Sequence, residues 1–462
     1  MENKQVNIVC IGAGALGFTT GVVADLIRCP ELHGSTLSLV DIDPTGLEMI
    51  EKVAGRMIEA SGADIELKAA AGRREVLPGA DFVINTIQVG SYEGWRADVE
   101  IPLKHGIYQT IGDSVGPGAV SRFLRTCHTI VAIGRDMAEL CPEAFVINYA
   151  NPNTGIVDCF LRHTEVRGAV GLCHGIFGRI GELAEFLEEP REDFSFVSAG
   201  VNHFTWITEL KVRGEEAYPM LDRMIERKGE AAFPVGIKLY QTFGLFPSPA
   251  DPHLAEFVPW FNRDVAWMRQ RYGLHVARAE LAQRGRERAW QRFLTWVEGG
   301  GSLDELMGHS GEQAIEIIDC MAHNRRKRLD AINVPNGGFI DNVPEGHVVE
   351  VPGFVDADGF HGEKVGALPE GIAAMLAQRG KQVQLAVEAG VKEDRALAVQ
   401  AMALDPLTPS LETAEMLVDE LILHHAQWMP ERLLAAAKQW PDEYEPGPEL
   451  VPPSKSQQES VN

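Results

Sequence analysis

The sequence predicts an α/β protein whose N-terminal part is a doubly wound parallel sheet and whose C-terminal part is a mostly helical α+β lobe. A β-branched apolar run at 5–11 leads through a glycine-rich turn into a helical stretch at 18–29. Apolar strand candidates then alternate with helical segments to about residue 195. Beyond Gly200 longer helical stretches prevail. We expect one domain at 1–195, a second lobe at 196–440 that carries substrate, metal and oligomer contacts, and a flexible tail at 441–462.

The glycine-rich turn includes Gly12, Gly14, Leu16 and Gly17, and a second strand at 36–40 ends in Asp41. A strand, GxGxxG, a helix, a strand and an acid form the dinucleotide fingerprint of a Rossmann-like domain. Gly12 permits the turn, Gly14 admits the pyrophosphate, and Gly17 is expected to let helix and strand pack closely. Because Asp41 would bind a ribose diol and repel a 2′-phosphate, NAD is favoured over NADP. A plain βαβ turn is the alternative.

Composition excludes several classes of protein. The chain has 462 residues, with 42 Lys and Arg against 66 Asp and Glu and a net charge of −24, so a basic face for nucleic acid or an anionic membrane is not expected. Seven scattered cysteines without a CxxC pair argue against a disulfide framework. With no leader and no long apolar run, the expectation is a reduced, soluble, cytoplasmic protein.

Two polar loops follow strand candidates in the N-terminal part. Asp113 lies in the Gly-rich loop 111–118, with Arg122 shortly after it, and Asn151 lies in the Asn-rich stretch 148–153. Because the carboxyl ends of the strands of a doubly wound sheet line the ligand crevice, the amides of the Asn-rich stretch are candidates for binding a polyol, and the Gly-rich loop is a candidate ligand loop. Tight turns are the alternative for both loops.

A third cluster joins two strand ends. Cys173 and His174 follow one apolar run, and Asn202 and His203 follow the next. A thiolate and an imidazole suit a divalent transition ion with positions open for substrate oxygens, although both residue types are common in ordinary cores. The residues alone therefore suggest a nicotinamide enzyme with a metal and a sugar-like substrate, such as a polyol dehydrogenase.

One family resembles this set of motifs in order from about residue 5 to 410. The chain is similar to glycoside hydrolase family 4 in GAGALG, Asp41, IGDSVGPG, NYANPN, GLCHG, GVNHF, and in the stretches around Asn336, Glu350 and Asp405. The resemblance implies a redox-neutral hydrolysis. In it NAD takes hydride from carbon 3, a base removes the proton on carbon 2, the metal stabilises the enediolate, the glycosidic oxygen leaves, water adds, and the hydride returns.

The resemblance also implies roles for residues. Cys173 and His203 correspond to ligands of the metal, most often Mn²⁺, and Asn151 and Asn202 to positions that contact sugar hydroxyls. His174 is the candidate general acid. Asp251 is the preferred base and Tyr240 the alternative, and Asp113 is a further catalytic candidate. Family members form dimers and tetramers, so a homodimer or homotetramer is expected.

The substrate class rests on two local stretches. After Cys173 the chain departs from the phospho-sugar branches, and the residues from Asp251 to Phe261 are more similar to uronidases. The favoured substrate is an unphosphorylated α-glycoside that is anionic at carbon 6, namely an α-galacturonide, α-glucuronide or sulfoquinovoside. Arg96, Lys104 and Arg122 are candidate cationic partners. A neutral α-glucosidase or α-galactosidase, an NAD-dependent dehydrogenase and a non-catalytic nucleotide sensor are the alternatives.

Overall fold

One 13-stranded sheet organises the protein in the computed structural model, which describes residues 4–440; the expected tail at 441–462 lies outside them. The strands are β1 (Asn7–Ile11), β2 (Ser35–Val40), β3 (Ile65–Ala70), β4 (Phe82–Asn85), β5 (Phe145–Asn148), β6 (Gly168–Gly171), β7 (Phe194–Val201), β8 (Phe204–Val212), β9 (Glu215–Glu216), β10 (Phe246–Ser248), β11 (Lys327–Pro335), β12 (Val348–Asp356) and β13 (Gly359–Gly362). They lie in the order β10-β8-β7-β12-β11-β6-β5-β4-β1-β2-β3, with β9 beside β8 and β13 beside β12.

The first six strands form the parallel half of the sheet. Their order, β3-β2-β1-β4-β5-β6, is that of a doubly wound nucleotide-binding sheet, so the predicted Rossmann-like fold class is confirmed. Ile8 pairs with Leu37 on one side and with Phe82 on the other, so β1 is central. The carboxyl ends of β1, β4 and β5 therefore meet at one edge of the sheet.

The later strands extend the same sheet in antiparallel fashion. Strand β11 joins β6 where Asn333 pairs with Gly171, and β12 joins β7 where Glu350 pairs with Gly200. The C-terminal lobe thus continues the sheet of the N-terminal part, which brings the β7–β8 hairpin toward the ends of the parallel strands.

Helices cover both faces of the sheet, and among residues 4–440 none is long and apolar enough to cross a membrane. They are α1 (Leu16–Ile27), α2 (Pro44–Ser61), α3 (Ser91–Lys104), α4 (Gly116–Leu140), α5 (Asn153–His163), α6 (Gly175–Leu187), α7 (Tyr218–Lys228), α8 (Pro234–Phe243), α9 (Asp251–Glu256), α10 (Val265–Tyr272), α11 (Ala279–Val297), α12 (Ala314–Ala322), α13 (Glu370–Lys392), α14 (Arg395–Ala403), α15 (Leu411–His424) and α16 (Glu431–Ala436).

Strand β1 shows why the sheet is buried on both faces. Ile8 and Cys10 belong to one apolar cluster, whereas Val9 and Ile11 belong to another. Successive side chains of a strand point to opposite faces, so an unbroken apolar run fits a strand that is covered by helices on both sides. The candidate functional residues then lie in the loops that leave these buried strands.

Candidate functional site

The glycine turn after β1 leaves room for a dinucleotide. Gly12 has φ +93°, and a Cβ there would lie 2.8 Å from the backbone nitrogen of Ile87, so only glycine fits. Helix α1 begins at Leu16, and its N-cap residue Ala15 makes no side-chain cap bond, so no cap side chain blocks the N-terminal end of α1 from a phosphate. A Cβ at Gly17 would meet nothing within 4 Å among the described residues, so the expected helix–strand packing role of Gly17 is wrong.

Asp41 lies directly against this turn. Its Oδ2 accepts the N–H of Gly14 at 2.7 Å, and its Oδ1 accepts the N–H of Asp43 at 2.8 Å. A Cβ at Gly14 would come within 2.7 Å of Oδ2. Since an ionised carboxylate has about four lone-pair sites, Asp41 retains acceptor capacity for a ribose diol.

A cavity of about 930 Å³ opens at the carboxyl ends of β4 and β5. Two of the predicted site residues line it, Asp113 and Asn151, together with Arg122. The wall nearest the glycine turn is formed by Thr86 and Ile87, and other parts are formed by Gln88, Tyr92, Trp95, Thr110, Ile111, Tyr149, Ala150, Pro252 and the stretch 273–286.

Asp113, His203 and His253 form a potential metal-binding group. Each offers a ligand atom within 4.8 Å of those of the other two, and the two imidazole rings are 4.3 Å apart between centroids. Asp113 and His203 were predicted as site residues, whereas His253 was not assigned a role. Two imidazoles and one carboxylate suit a divalent transition ion and leave positions open for substrate oxygens.

The backbone explains how His203 reaches this group. Val201 pairs with Phe204 across the β7–β8 hairpin, so Asn202 and His203 form a two-residue turn, and His203 has φ +65°. A non-glycine residue in the left-handed region costs free energy, which the surrounding structure has to supply. The turn holds the imidazole against Ser114, whose Oγ lies 2.8 Å from Nδ1.

The protonation states of His253 and Asp113 suit metal binding. Burial, followed by the neighbouring His203, lowers the pKa of His253 to about 4, so its imidazole is neutral. Burial opposes ionisation of Asp113, but His203 and Arg122 outweigh it and keep the pKa of that carboxyl below its ordinary value. A neutral imidazole and an ionised carboxylate are the forms that bind metals.

Two buried carboxylates hold the loop that carries Asp113. Glu256 accepts the N–H of Ile111 at 2.7 Å and that of Gly112 at 2.8 Å, and burial raises the pKa of Glu256 to about 8. Asp405 accepts the N–H of Gly116 at 3.1 Å. Asp405, a residue of the quoted motifs, therefore supports the site from outside it.

Cys173 and Asn202 lie beside the metal-binding group. Cys173 is not in the mutually close set, its Sγ accepts the N–H of Gly175 at 3.4 Å, and burial, followed by nearby Glu350, raises the pKa of its thiol to about 12. Asn202 donates to Glu350 at 2.9 Å, while its own Oδ1 is enclosed without a partner among residues 4–440. That Oδ1 is an acceptor free for a ligand.

Neither predicted base lines the cavity, and both side chains are held by other residues. The Asp251 carboxylate accepts the N–H of Val235 at 2.7 Å and of Gly236 at 3.2 Å, and it pairs with buried Arg179 at 3.1 Å. It therefore caps the start of α8. Tyr240 donates to Asp222 at 2.8 Å and stacks on Tyr218, and burial, followed by Asp222, raises its pKa.

Three other predicted residues lie outside the cavity lining. The half-exposed His174 lies 3.0 Å from the carbonyl oxygen of Gly311 and 3.3 Å from Glu312. Arg96 is exposed and donates to Glu100 at 2.9 Å, and exposed Lys104 is 3.4 Å from Glu420. Arg96 and Lys104 form surface ion pairs, and the roles predicted for these two residues and for His174 stay predictions.

Sequence reasoning missed His253 and the loop-holding role of Glu256. Both lie in the stretch after Asp251 that is similar to uronidases, and the similarity does not single out either residue. The signal available was the position of His253 two residues after Asp251, within the short helix α9. Only the structure shows that Asp251 faces Arg179 while His253 faces His203.

Sheets of this order bind dinucleotides at the carboxyl ends of their strands, and the same edge here carries a donor set for a divalent ion. The molecule is therefore built as a cofactor-dependent enzyme. Residues 7–189 match the model of the family 4 glycosyl hydrolases, and residues 198–408 match the model of the C-terminal domain of that family. The chain belongs to family 4 of the glycosyl hydrolases and is a glycosidase.

Relatives with named activities span nearly the whole chain. An α-galactosidase of Bacillus subtilis is 30% identical and covers 92% of this chain and 99% of its own length. An α-galacturonidase of Thermoanaerobacterium saccharolyticum is 30% identical, with 90% and 95% covered. A 6-phospho-α-glucosidase from gut microorganisms, solved in complex with NAD and Mn²⁺, has a TM-score of 0.79 at 21% identity, with 93% and 100% covered, which shows a shared fold.

Proposed function

We propose that this glycosidase cleaves an unphosphorylated α-glycoside by a redox-neutral route that uses NAD and a divalent ion, with Mn²⁺ favoured. The proposal is carried by one observation: the same cavity adjoins the glycine turn proposed for NAD and the group proposed for the metal. Gly12 abuts Ile87, which lines the cavity, and Asp113 of the metal-binding group lines it as well. A structural relative that was solved with NAD and Mn²⁺ supports the same pair of cofactors.

The residues at the carboxyl ends of the strands fit both NAD and a divalent ion. When bound, NAD supplies a hydride acceptor and later a hydride donor, and the ion supplies the positive charge that acidifies the hydrogen on carbon 2. The turn at 12–17 and Asp41 hold the dinucleotide. His203 and His253 hold the ion through their ring nitrogens, and Cys173, beside Asn202, remains a further proposed donor.

Asp113 takes the place of Asp251 and Tyr240 as the proposed base. Among the described residues that line the cavity, Asp113 is the one carboxylate. It is held ionised and lies beside both imidazoles, so Oδ2 can accept a proton from a carbon next to the metal-binding group. Asn151 donates to that Oδ2 at 3.1 Å and orients it.

The amides position the sugar. Asn151 lines the cavity, and the enclosed Oδ1 of Asn202 has no partner among the described residues. A hydroxyl donor of the substrate satisfies an unpaired buried acceptor, and the burial around it excludes water from the reacting carbons. We assign both amides to sugar hydroxyls.

An anionic group on carbon 6 is the favoured substrate feature. Three arginines line the cavity, Arg122, Arg278 and Arg286, against the single carboxylate of Asp113. In a chain of net charge −24 this local excess of positive charge favours a negative ligand. The α-galacturonidase relative supports a uronide, whereas the α-galactosidase relative favours a neutral α-galactoside as the second candidate.

A panel of 4-nitrophenyl α-glycosides tests this function. We expect chromophore release from the α-galacturonide that requires both NAD and Mn²⁺ and that stops with a chelator, without net NADH. Steady accumulation of NADH, or hydrolysis that is indifferent to both additions, would contradict the proposal. Faster turnover of the α-galactoside would favour the second candidate.

A further inference from the structure

A buried arginine in the cavity wall has two guanidinium nitrogens without a hydrogen-bond partner among residues 4–440. Arg122 lies in the second turn of α4, its side chain is 5% exposed, and it lines the cavity with Asp113. Its Nε and Nη2 are enclosed without a hydrogen-bond partner among residues 4–440. Buried guanidinium groups are normally hydrogen-bonded, because an unpaired buried charge is costly. Arg122 therefore keeps its donors for a ligand.

The nearest carboxylate is already engaged by other residues. Asp98 Oδ2 is 3.9 Å from Arg122 Nε, too far for a hydrogen bond. Arg125 donates to Asp98 Oδ1 at 2.9 Å, and His425 Nε2 lies 3.1 Å from the same oxygen. Since Arg125 already balances the charge of Asp98, the other acidic neighbour of Arg122 is Asp113, which lines the cavity with it.

Another arginine shows how this protein pairs a guanidinium when a carboxylate is free to accept. Arg395 donates from Nε to Asp419 Oδ1 at 2.5 Å and from Nη2 to Oδ2 at 2.6 Å. That two-pronged pairing matches the planar fork of the guanidinium to the two oxygens. Arg122 has the same fork, but no carboxylate among residues 4–440 accepts a hydrogen bond from its Nε or Nη2.

We propose that Arg122 is the specificity-determining residue that binds the anionic group on carbon 6 of the substrate. The proposal rests on the proposed function and narrows it, because it assigns the preference for an anionic sugar to one side chain. Of the three cations that the sequence offered, Arg96 and Lys104 are paired with surface carboxylates outside the cavity lining. A carboxylate or a sulfonate at carbon 6 would each satisfy the guanidinium.

The test compares Arg122→Gln with Arg122→Lys, and Arg96→Gln is the matched control. With NAD and Mn²⁺ present, we measure kcat/KM for the 4-nitrophenyl α-galacturonide, α-sulfoquinovoside and α-galactoside, and the NAD Kd. We expect Arg122→Gln to lower kcat/KM about 100-fold for one or both anionic substrates but less than 5-fold for the galactoside. Arg122→Lys should recover part of the lost kcat/KM for the anionic substrates. Arg96→Gln should leave kcat/KM for all three substrates and the NAD Kd unchanged.

Binding of free D-galacturonate, D-galactose and 6-sulfoquinovose by calorimetry separates this proposal from the proposed function, because it does not need turnover. We expect Arg122→Gln to weaken binding of an anionic sugar at least 10-fold and to leave D-galactose unchanged. Equal losses for neutral and anionic sugars, or a raised NAD Kd, would overturn the assignment of Arg122. Failure of every glycoside to react, with the binding difference intact, would overturn the proposed function alone.

Discussion

Ser114 Oγ lies 2.8 Å from His203 Nδ1 and donates its own proton to Asp113 Oδ1 at 2.7 Å. This arrangement assigns a proton to Nδ1, so the lone pair of His203 Nε2 is left for a metal ion. Groups that fix the tautomer of a metal-binding histidine typically contribute 10–100-fold to affinity.

We therefore expect Ser114→Ala to weaken Mn²⁺ binding by about 10–100-fold, because His203 loses the acceptor that orients it. Free Mn²⁺ is measured by its electron paramagnetic resonance signal. Ser61→Ala, at the exposed end of α2, is the control. Equal Mn²⁺ affinity in Ser114→Ala and the wild type would remove the basis for the assigned tautomer.

The roles of His203 and Asp113 differ, and two variants separate them. His203→Ala should abolish measurable Mn²⁺ binding while NAD binding persists, since the glycine turn lies on another strand end. Asp113→Asn should weaken Mn²⁺ binding without abolishing it and, at saturating Mn²⁺, lower kcat by at least about 100-fold, because an amide cannot accept the proton from carbon 2. Loss of NAD binding in both variants would contradict the separation of the two sites.

Asp251 is expected to act in stability and not in proton transfer. Asp251→Ala removes one of the two carboxylates that contact the buried guanidinium of Arg179, which keeps Glu182, and uncaps α8, so the free energy of unfolding should fall by about 1–3 kcal/mol. Urea unfolding measures that loss, and turnover is expressed per folded molecule below the transition. A folded Asp251→Ala enzyme that had lost kcat about 1000-fold would restore Asp251 as the base.

The raised pKa of Glu256 predicts that the stability of the fold depends on pH. Because the folded state raises the pKa of this carboxyl from 4.5 to about 8, the folded protein keeps a proton that the unfolded chain releases above 4.5. Its contribution to stability is therefore full at acid pH and declines as the pH rises from about 4.5 to 8.

Glu256→Gln should remove that decline and stabilise the protein at pH 8.5 by at least about 1 kcal/mol. The amide keeps an oxygen that can accept the N–H of Ile111 or Gly112, so the loop stays in place. Melting temperatures from pH 5 to 9 provide the measurement. If the melting temperatures of the wild type and of Glu256→Gln changed in parallel from pH 5 to 9, the raised pKa of Glu256 would be contradicted.

The parallel half of the fold could be predicted because its signals are local. The turn from Gly12 to Gly17, the helix after it and Asp41 at the end of β2 follow one another within a few dozen residues. The antiparallel half could not be ordered in the same way, because it depends on distant pairings such as Asn333 with Gly171 and Glu350 with Gly200. No local pattern encodes those partners.

The site was predictable where a residue follows a strand end, as Asn151 and His203 do. It was not predictable in the stretch 251–256, where a single helical turn determines which side chain points inward. The buried guanidinium of Arg179 binds Asp251 and turns it away, while His253 faces His203. Likewise, the sequence offered three cations for an anionic sugar, and burial distinguishes Arg122 from the two exposed ones.

The central claim is a redox-neutral route that passes through loss of the proton on carbon 2. It is tested most directly by hydrolysing a 4-nitrophenyl α-glycoside in D₂O with NAD and Mn²⁺ and locating deuterium in the released sugar by NMR. We predict one deuterium at carbon 2, protium at carbon 3 and no net NADH. A sugar with protium at carbon 2 would show direct displacement at carbon 1 and contradict the account.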